Sequence, residues 1–352
     1  MNARIFATAA FCAALAASSL PRQAAAAPTS VRNPSASAAG GDDNPFVARD
    51  RAAAPELKTP CHLWGAPAEN DPSSQLRRAR AFEEAGRRKA ARKAYDALVH
   101  NWGASAEAPV AQLSVARLQE AAGNLEEAFS EYQYYLERYA GVNPAPDYGW
   151  LDIVRSQYGI AAALLSKCGR GPFDVSPSLV ASMFRHVVQN APDWEKAPLA
   201  AISEGRARER DHDWDSAIAA YDRLLAKYPS SDVAVEACYR AGECRWRVSE
   251  KWPNDERALV NALETMRRSL RLDPSHPMAA ATAERVAALS ARASRMAWER
   301  AEFYDRIRKN PAAARLAYEE FLRLYPASAE APAVRARLAA LPPEETVEPL
   351  NR

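Results

Sequence analysis

Few residues in this 352-residue chain could do acid–base or metal chemistry. The five histidines, His62, His100, His186, His212 and His276, stand far apart, and HExxH, CxxC, GxSxG and a glycine-rich phosphate loop are all missing from the sequence. Asp211-His212-Asp213 has the composition of an acid–base site. It falls between two expected helices, where polar residues are the rule, and so reads as a solvated turn. Cys61-His62 suggests a pair of metal ligands, but no second pair follows at zinc spacing. Docking of Leu63 and Trp64 on the first helices is the expected role of that stretch. No catalytic residue, metal or cofactor is expected.

The chemistry left is recognition by surfaces, and a repeated phrase sets where those surfaces lie. A small residue, an aromatic four positions on and an apolar pair beyond it recur as Ala91-Tyr95-Leu98-Val99, Ala128-Tyr132-Tyr135-Leu136, Val180-Phe184-Val187-Val188 and Ala217-Tyr221-Leu224-Leu225. Ala262-Met266-Ser269-Leu270 and Ala314-Tyr318-Phe321-Leu322 complete the series. The aromatic position returns after 37, 52, 37, 45 and 52 residues, a unit in the mid-thirties with insertions in three intervals. Spacing of three and four places each phrase on one helical stripe, and the prolines that follow four of the six copies end the helix. These features match a tetratricopeptide repeat better than a heptad coiled coil, whose period would not reset at prolines. The fold class is all-α: a tetratricopeptide-repeat superhelical solenoid of about six helix pairs with a closing helix.

Along the chain, residues 1–26 have an early Arg4, an apolar run from Ile5 to Ala17 and small residues at Ala24-Ala25-Ala26, the layout of a secretory signal peptide too short to span a membrane. Cys12 invites a lipid-anchor reading, which Phe11 opposes by standing where a lipobox needs a small residue. Residues 27–73, rich in Pro, Ala, Ser and Gly, form a flexible tether. Helix pairs are expected over Gln75 to Trp102, Ala106 to Tyr139 with Asn124 and Glu127 as a capping box, and Tyr148 to Gln189 around an inserted loop. Further pairs cover Trp194 to Tyr228 and, capped by Ser231, Ser231 to Leu272. One unbroken helix then runs from Met278 to Lys309, Asn310-Pro311 starts its partner, Ala329 to Leu341 closes the stack and residues 342–352 form an acidic tail. The repeat region divides into 74–192 and 193–341.

Cysteine usage fits an exported chain. Four remain after the leader, Cys61, Cys168, Cys238 and Cys244. Cys238 and Cys244 lie about 240° apart around one helix and cannot pair with each other. A Cys61–Cys168 bridge is one expectation, and buried free thiols are the other. Net charge is only +2 with both signs interleaved, so no nucleic-acid footprint is present.

AEFYDRIRKNPAAARLAYEEFLRLYPAS (301–328) resembles the last repeat of the BamD family, the tetratricopeptide subunit of the bacterial machinery that inserts β-barrels into outer membranes. DWDSAIAAYDRLLAKYPSSDVAVEACYRAG resembles that family's opening repeat and ALETMRRSLRLDPSHPMAAATAERVAAL a middle one, over about residues 194–340. The chain departs from the family in its extra units over residues 75–192 and in lacking a lipobox. The resemblance implies a non-enzymatic protein-binding scaffold of the cell envelope, exported to the periplasm and peripheral to the outer membrane, acting in β-barrel protein assembly. The alternative is a periplasmic adaptor that organises cell-wall synthesis or division complexes. Partners are envelope proteins or extended peptide segments, with membrane association only through them or an anchor.

In such stacks the first helix of each pair lines the concave side. Counting from the small residue at its centre (Ala79, Ala116, Gly205, Gly242), the groove-facing positions are Arg80, Arg117, Arg206 and Glu243, then Glu83, Glu120, Glu209 and Trp246. In the second half, Arg206, Arg210, Tyr239, Glu243 and Trp246 make the expected partner-binding wall: cations for a carboxylate beside aromatics for an extended peptide. The competing expectation is that these charges pair among themselves, Arg206 with Glu209 or Arg210 with Glu243, on a solvated face.

Overall fold

Apolar stripes broken by Gly, Pro and Asp turns fold into helix after helix. The computed structural model describes Lys58, residues 66–141, 148–169, Gly171 and 174–342. The expected leader with Cys12, most of the tether including Cys61-His62-Leu63-Trp64, and the tail beyond Pro342 lie outside these residues. The described residues form thirteen α-helices and no strand. They are α1 (Pro72–Glu84), α2 (Arg88–Trp102), α3 (Ala108–Ala121), α4 (Leu125–Arg138), α5 (Trp150–Lys167), α6 (Pro177–Asn190) and α7 (Ala197–Arg210). The series continues with α8 (Trp214–Lys227), α9 (Ala234–Lys251), α10 (Glu256–Leu272), α11 (Ala279–Glu302), α12 (Pro311–Leu324) and α13 (Ala331–Ala340). Successive helices pack as the pairs α1/α2 to α11/α12, each pair lies against the next, and α13 closes the array on α12.

Three local expectations need correction. Asn124 does not form a capping box: no side chain caps α4, and Asn124 Nδ2 instead donates to Gln119 Oε1 at 2.8 Å. Ser231 does not cap α9, which starts three residues later; its hydroxyl donates back to Tyr228 O at 2.9 Å and tightens the preceding turn. The long helix stops at Glu302 and widens into a π-helical turn, Phe303–Ile307, closed by Arg308 N–H on Phe303 O at 2.9 Å. Elsewhere the caps agree with the sequence: Asn310 Oδ1 accepts from Ala313 N at 3.1 Å, and Pro177 and Pro311 stand in first turns.

The recurring phrase builds the core. Tyr95, Tyr132, Phe184, Tyr221, Met266 and Tyr318 are all buried, as are the small residues four positions before them. A second regularity lies on top of the packing. Tyr95, Tyr132 and Tyr221 each donate a hydroxyl hydrogen bond to a carboxylate 12 residues upstream on the partner helix: Glu83 at 2.6 Å, Glu120 at 2.7 Å and Glu209 at 2.8 Å. Tyr318 reaches Asp305 at 3.1 Å across 13 residues, and the extra residue falls in the π-helical turn. Burial first, and then the carboxylate, joined at Tyr132 by the Tyr148 hydroxyl, push these phenols above the ordinary tyrosine range, that of Tyr318 to about 12. Every ring therefore stays a donor at any physiological pH.

Close approach of the ring to its partner helix explains Gly205. A Cβ there would stand 2.2 Å from Tyr221 Cε1, so only glycine admits the ring. Where the phrase gives way to Phe184, three amides join the helices instead: Gln133 Oε1 accepts from Gln157 Nε2 at 2.9 Å and from Asn190 Nδ2 at 2.8 Å, while Asn190 Nδ2 also donates to Gln157 Oε1 at 2.9 Å. The described cysteines, Cys168, Cys238 and Cys244, are buried free thiols, and burial raises Cys238 and Cys244 above the usual thiol range. Cys61, the proposed partner of Cys168, lies outside the described residues.

Asp211-His212-Asp213 is a helix-reversing turn. His212 adopts φ 55°, the left-handed position that Gly86 (φ 70°) and Gly123 (φ 81°) occupy in the first two pairs. The same two bonds close all three turns: His212 N–H to Glu209 O at 3.0 Å with Asp213 N–H to Arg208 O at 3.1 Å here, and their counterparts at Gly86-Arg87 and Gly123-Asn124. Asp213 is occupied as the cap of α8, accepting from Ser216 N at 3.2 Å. Its neighbour is a side chain held in a backbone region that suits glycine.

Four stability measurements check this account. Tyr221→Ala should cost about 3–5 kcal/mol by denaturant titration, because it leaves a ring-sized cavity. Asp222→Ala, which removes only the surface pair with Arg245 at 2.7 Å, should cost less than about 1 kcal/mol. Gly205→Ala should lose about 1–3 kcal/mol by overpacking against the Tyr221 ring. His212→Gly should melt at or above the parent temperature, since relieving a left-handed non-glycine residue is worth about 1 kcal/mol; a lowered melting point would refute the turn role.

Candidate functional site

α7 and α9, the first helices of two successive pairs, carry the residues expected to meet a partner, and beside α11 the structure brings three of the five, Arg206, Glu243 and Trp246, to one face. Arg206 on α7 donates through Nη2 to both oxygens of Glu236 on α9 at 2.8 Å. Glu236 also accepts from Arg240 Nε at 2.7 Å, and Arg240 Nη1 returns to Glu209 on α7 at 2.8 Å. Partial burial pushes Glu236 up, but the bonds from Arg240 and Arg206 outweigh it and hold the carboxyl below its ordinary range. Glu209 is thus shared between Arg240 and the Tyr221 hydroxyl.

Further along, Glu243 is paired with Arg285 of α11 and with Arg247 Nε at 3.4 Å. Trp246 has two guanidiniums against its ring, Arg285 at 4.3 Å and Arg247 at 4.6 Å from the centroid. Both distances are within cation–π range. The inner part of the indole packs on the core around Leu259, Leu263 and Leu289. The tryptophan is thereby a flat surface anchored on the core, with two cations against its ring.

The remaining two residues differ from expectation. Tyr239 is buried, its hydroxyl donating to Asp273 O at 2.5 Å and its ring stacked on His276 at 4.3 Å, so it braces α10 and the turn after it. Arg210 is exposed but engaged: Nη1 donates to Leu165 O at the end of α5, with Cys168 Sγ at 3.5 Å. A cation there also offsets the negative end of the α5 dipole. The charges do pair, though with neither suggested partner: Arg206 takes Glu236 instead of Glu209, and Glu243 takes Arg285 instead of Arg210. Glu83, Glu120 and Glu209 are hydroxyl acceptors for their repeat's tyrosine.

Sequence reasoning passed over Glu236, Arg240, Arg247 and Arg285. The four-residue spacings Glu236/Arg240 and Glu243/Arg247 on one helix were the available signal; the role of Arg285 depends on how α11 lies on α9. Among the described residues no group of three His, Cys, Asp or Glu side chains could hold a metal, and no helix is long and apolar enough to cross a membrane.

The tetratricopeptide repeat family model matches residues 73–105 and 204–231, which are the first pair and most of the fourth. No curated protein matches the chain. Solved structures similar to it include YrrB, described as a TPR protein with an unusual peptide-binding site (16% identity, 61% of this chain and 92% of that one, TM-score 0.29). Others are the C-terminal part of a TPR repeat-containing protein of Cytophaga hutchinsonii (13%, 76% and 88%, TM-score 0.29) and PilF of Pseudomonas aeruginosa (11%, 76% and 97%, TM-score 0.26). With two of its helix pairs matching as sequence and every pair built on the same buried phrase, the chain carries tetratricopeptide repeats and folds as an all-α solenoid of that type.

Proposed function

We propose that this chain is a non-enzymatic protein-binding scaffold of the bacterial cell envelope, acting in the assembly of outer-membrane β-barrel proteins. The observation that carries the binding role is Trp246, anchored on the core with Arg247 and Arg285 against its ring, on the helix that also bears the Glu236 and Arg240 of the Arg206–Glu236–Arg240–Glu209 chain of charges. A flat ring with cations against it suits an extended segment that offers an apolar side chain next to a carboxylate. Arg206 and Arg240 add forked donors, since each guanidinium has five N–H groups and the two share one carboxylate at Glu236. Support for the envelope setting comes from the signal-like residues 1–26 and from the resemblance of residues 194–340 to BamD-family repeats.

Surface ion pairs alone would argue little, as each is worth about 0–1 kcal/mol. The tryptophan argues more, because its exposed edge is held still and a partner does not have to order it.

Crosslinking followed by affinity purification of the full chain tests the reading. Recovery of the barrel-assembly components is the expected result, and recovery of wall-synthesis or division proteins in their place would favour the alternative role. Arg206→Gln combined with Trp246→Ala should reduce partner capture by about tenfold or more. Helical circular dichroism should be retained, with a modest fall in melting temperature because the indole also covers part of the core. Undiminished capture by the double variant would move the working surface off this face.

A further inference from the structure

Two helix pairs of this stack share one register and the same tyrosine bonds, and one of them already holds a lysine from far outside the pair. Tyr139, after α4, donates to Gly103 O at 2.9 Å, and Tyr228, after α8, donates to Pro192 O at 2.7 Å, each across 36 residues. With Tyr132 matched to Tyr221 in the same register, Gln112 corresponds to Ala201, Glu131 to Ala220 and Tyr134 to Arg223. In the second pair these positions receive Lys58. Its Nζ lies 2.5 Å from Glu131 Oε2 and 5.1 Å from the Tyr134 ring centroid, and its backbone N–H donates to the Tyr134 hydroxyl at 3.3 Å. Gln112 Nε2 supports the same carboxylate at 2.6 Å. A lysine more than seventy residues away in sequence therefore sits against a carboxylate supported by an amide and an aromatic ring.

The matching place in the fourth pair is an open cleft of about 340 Å³ between α6, α7 and α8. Gln112 and Glu131 are replaced there by Ala201 and Ala220, which make room, and the walls change sign: Arg185, Arg223 and Lys227 line the cleft with Val188, Leu224 and Tyr228. At its floor Glu204, with only 5% of its side chain exposed, accepts from Arg185 Nε at 2.9 Å, Arg185 Nη2 at 2.7 Å and Arg223 Nη2 at 2.8 Å. All three bonds fall on the single oxygen Oε1. Three cations against one carboxylate leave the cleft positive, and each arginine has donors beyond those given to Glu204. Glu204 and Arg206 are two residues apart on α7, about 200° around the helix, so this cleft is on a different side from the Trp246 face.

We infer that the α6/α7/α8 cleft binds an extended peptide segment through an acidic side chain, in the way that the second pair holds Lys58 with the charges reversed. Arg185 is fixed by Glu204 and presents a planar fork, Arg223 completes the grip and Lys227 supplies a point charge. Val188, Leu224 and Tyr228 take the apolar neighbours of the acidic residue. The site goes beyond the envelope-scaffold reading and does not depend on the Trp246 face.

Fluorescence anisotropy of the full chain with a labelled, C-terminally amidated peptide of about twelve alternating glutamate and valine residues tests this. The glutamate peptide should bind at least about tenfold more tightly than its glutamine counterpart. Lys227→Glu and Arg223→Gln should each weaken it about fivefold or more, with helical circular dichroism unchanged. Arg206→Gln with Trp246→Ala should bind it as the parent does, which separates this site from the proposed partner face. Equal binding of the glutamine peptide, or binding indifferent to both cleft variants, would overturn the proposal. So would full displacement by equimolar inorganic phosphate, which would make the cleft a small-anion site.

Discussion

The stack depends on a tyrosine ring pressed against the small centre of its partner helix with its hydroxyl on that helix's carboxylate. The ring supplies buried apolar area and the hydroxyl fixes rotation, since a 12-residue separation across a tight turn is met at only one relative setting of the two helices. A buried phenol without an acceptor would cost about 1–3 kcal/mol. The bond therefore acts more as a selector of geometry than as a source of net stability. Gly205 shows how tight that setting is, because the ring occupies the space a Cβ would need.

Much of this was legible. Spacing of three and four, with breakers at regular intervals, placed the helices to within a few residues, because the buried phrase must lie on one stripe wherever the pairs stack. The Glu-to-Tyr interval was equally visible in Glu83/Tyr95, Glu120/Tyr132 and Glu209/Tyr221, and reading those glutamates as groove residues missed it. Cap identity was less legible: Asn124 and Ser231 have the right type and position, yet each found a nearer partner in the turn behind it. Tyr239 was assigned to the face from its position on α9, whereas its ring follows His276 and the end of α10. Pairings such as Glu243 with Arg285 cross helices 42 residues apart in sequence, which local periodicity does not encode.

Position within a pair decides what each helix can offer. α7 is packed against α6 and α8 and reaches α9 through the ion pairs Arg206–Glu236 and Arg240–Glu209, so its polar residues are divided between two surfaces. Glu204 points to the second helices and is almost enclosed by Arg185 and Arg223; Arg206 points to the neighbouring first helix and pairs with Glu236. A buried carboxylate with two guanidiniums is weak evidence for stability, because desolvation offsets much of the attraction. It does hold two cations in one place, and the same argument applies to Trp246 with Arg247 and Arg285 against its ring.

Turn length explains where the tyrosine is absent. The connections in the four pairs that have it are short and equal: residues 85–87, 122–124, 211–213 and 308–310. In the third and fifth pairs the connections run over 168–176 and 252–255, and the first helices are longer, at 18 residues each. Twelve positions before the buried residue the sequence then reads Pro172 and Asn254, neither of them a carboxylate. A hydroxyl in that core would have lost its acceptor, and the chain has Phe184 and Met266 there, which fill the same space and need none. The orienting function passes to other polar groups: the Gln133–Gln157–Asn190 amides around α5 and α6, and the Tyr239 hydroxyl on Asp273 O across α9 and α10. Loop insertion and loss of the phenol are thus one change. The sixth pair marks the limit: one extra residue is absorbed in the π-helical turn and Tyr318 keeps its bond to Asp305, whereas the longer connections of the third and fifth pairs go with a buried side chain that has no oxygen.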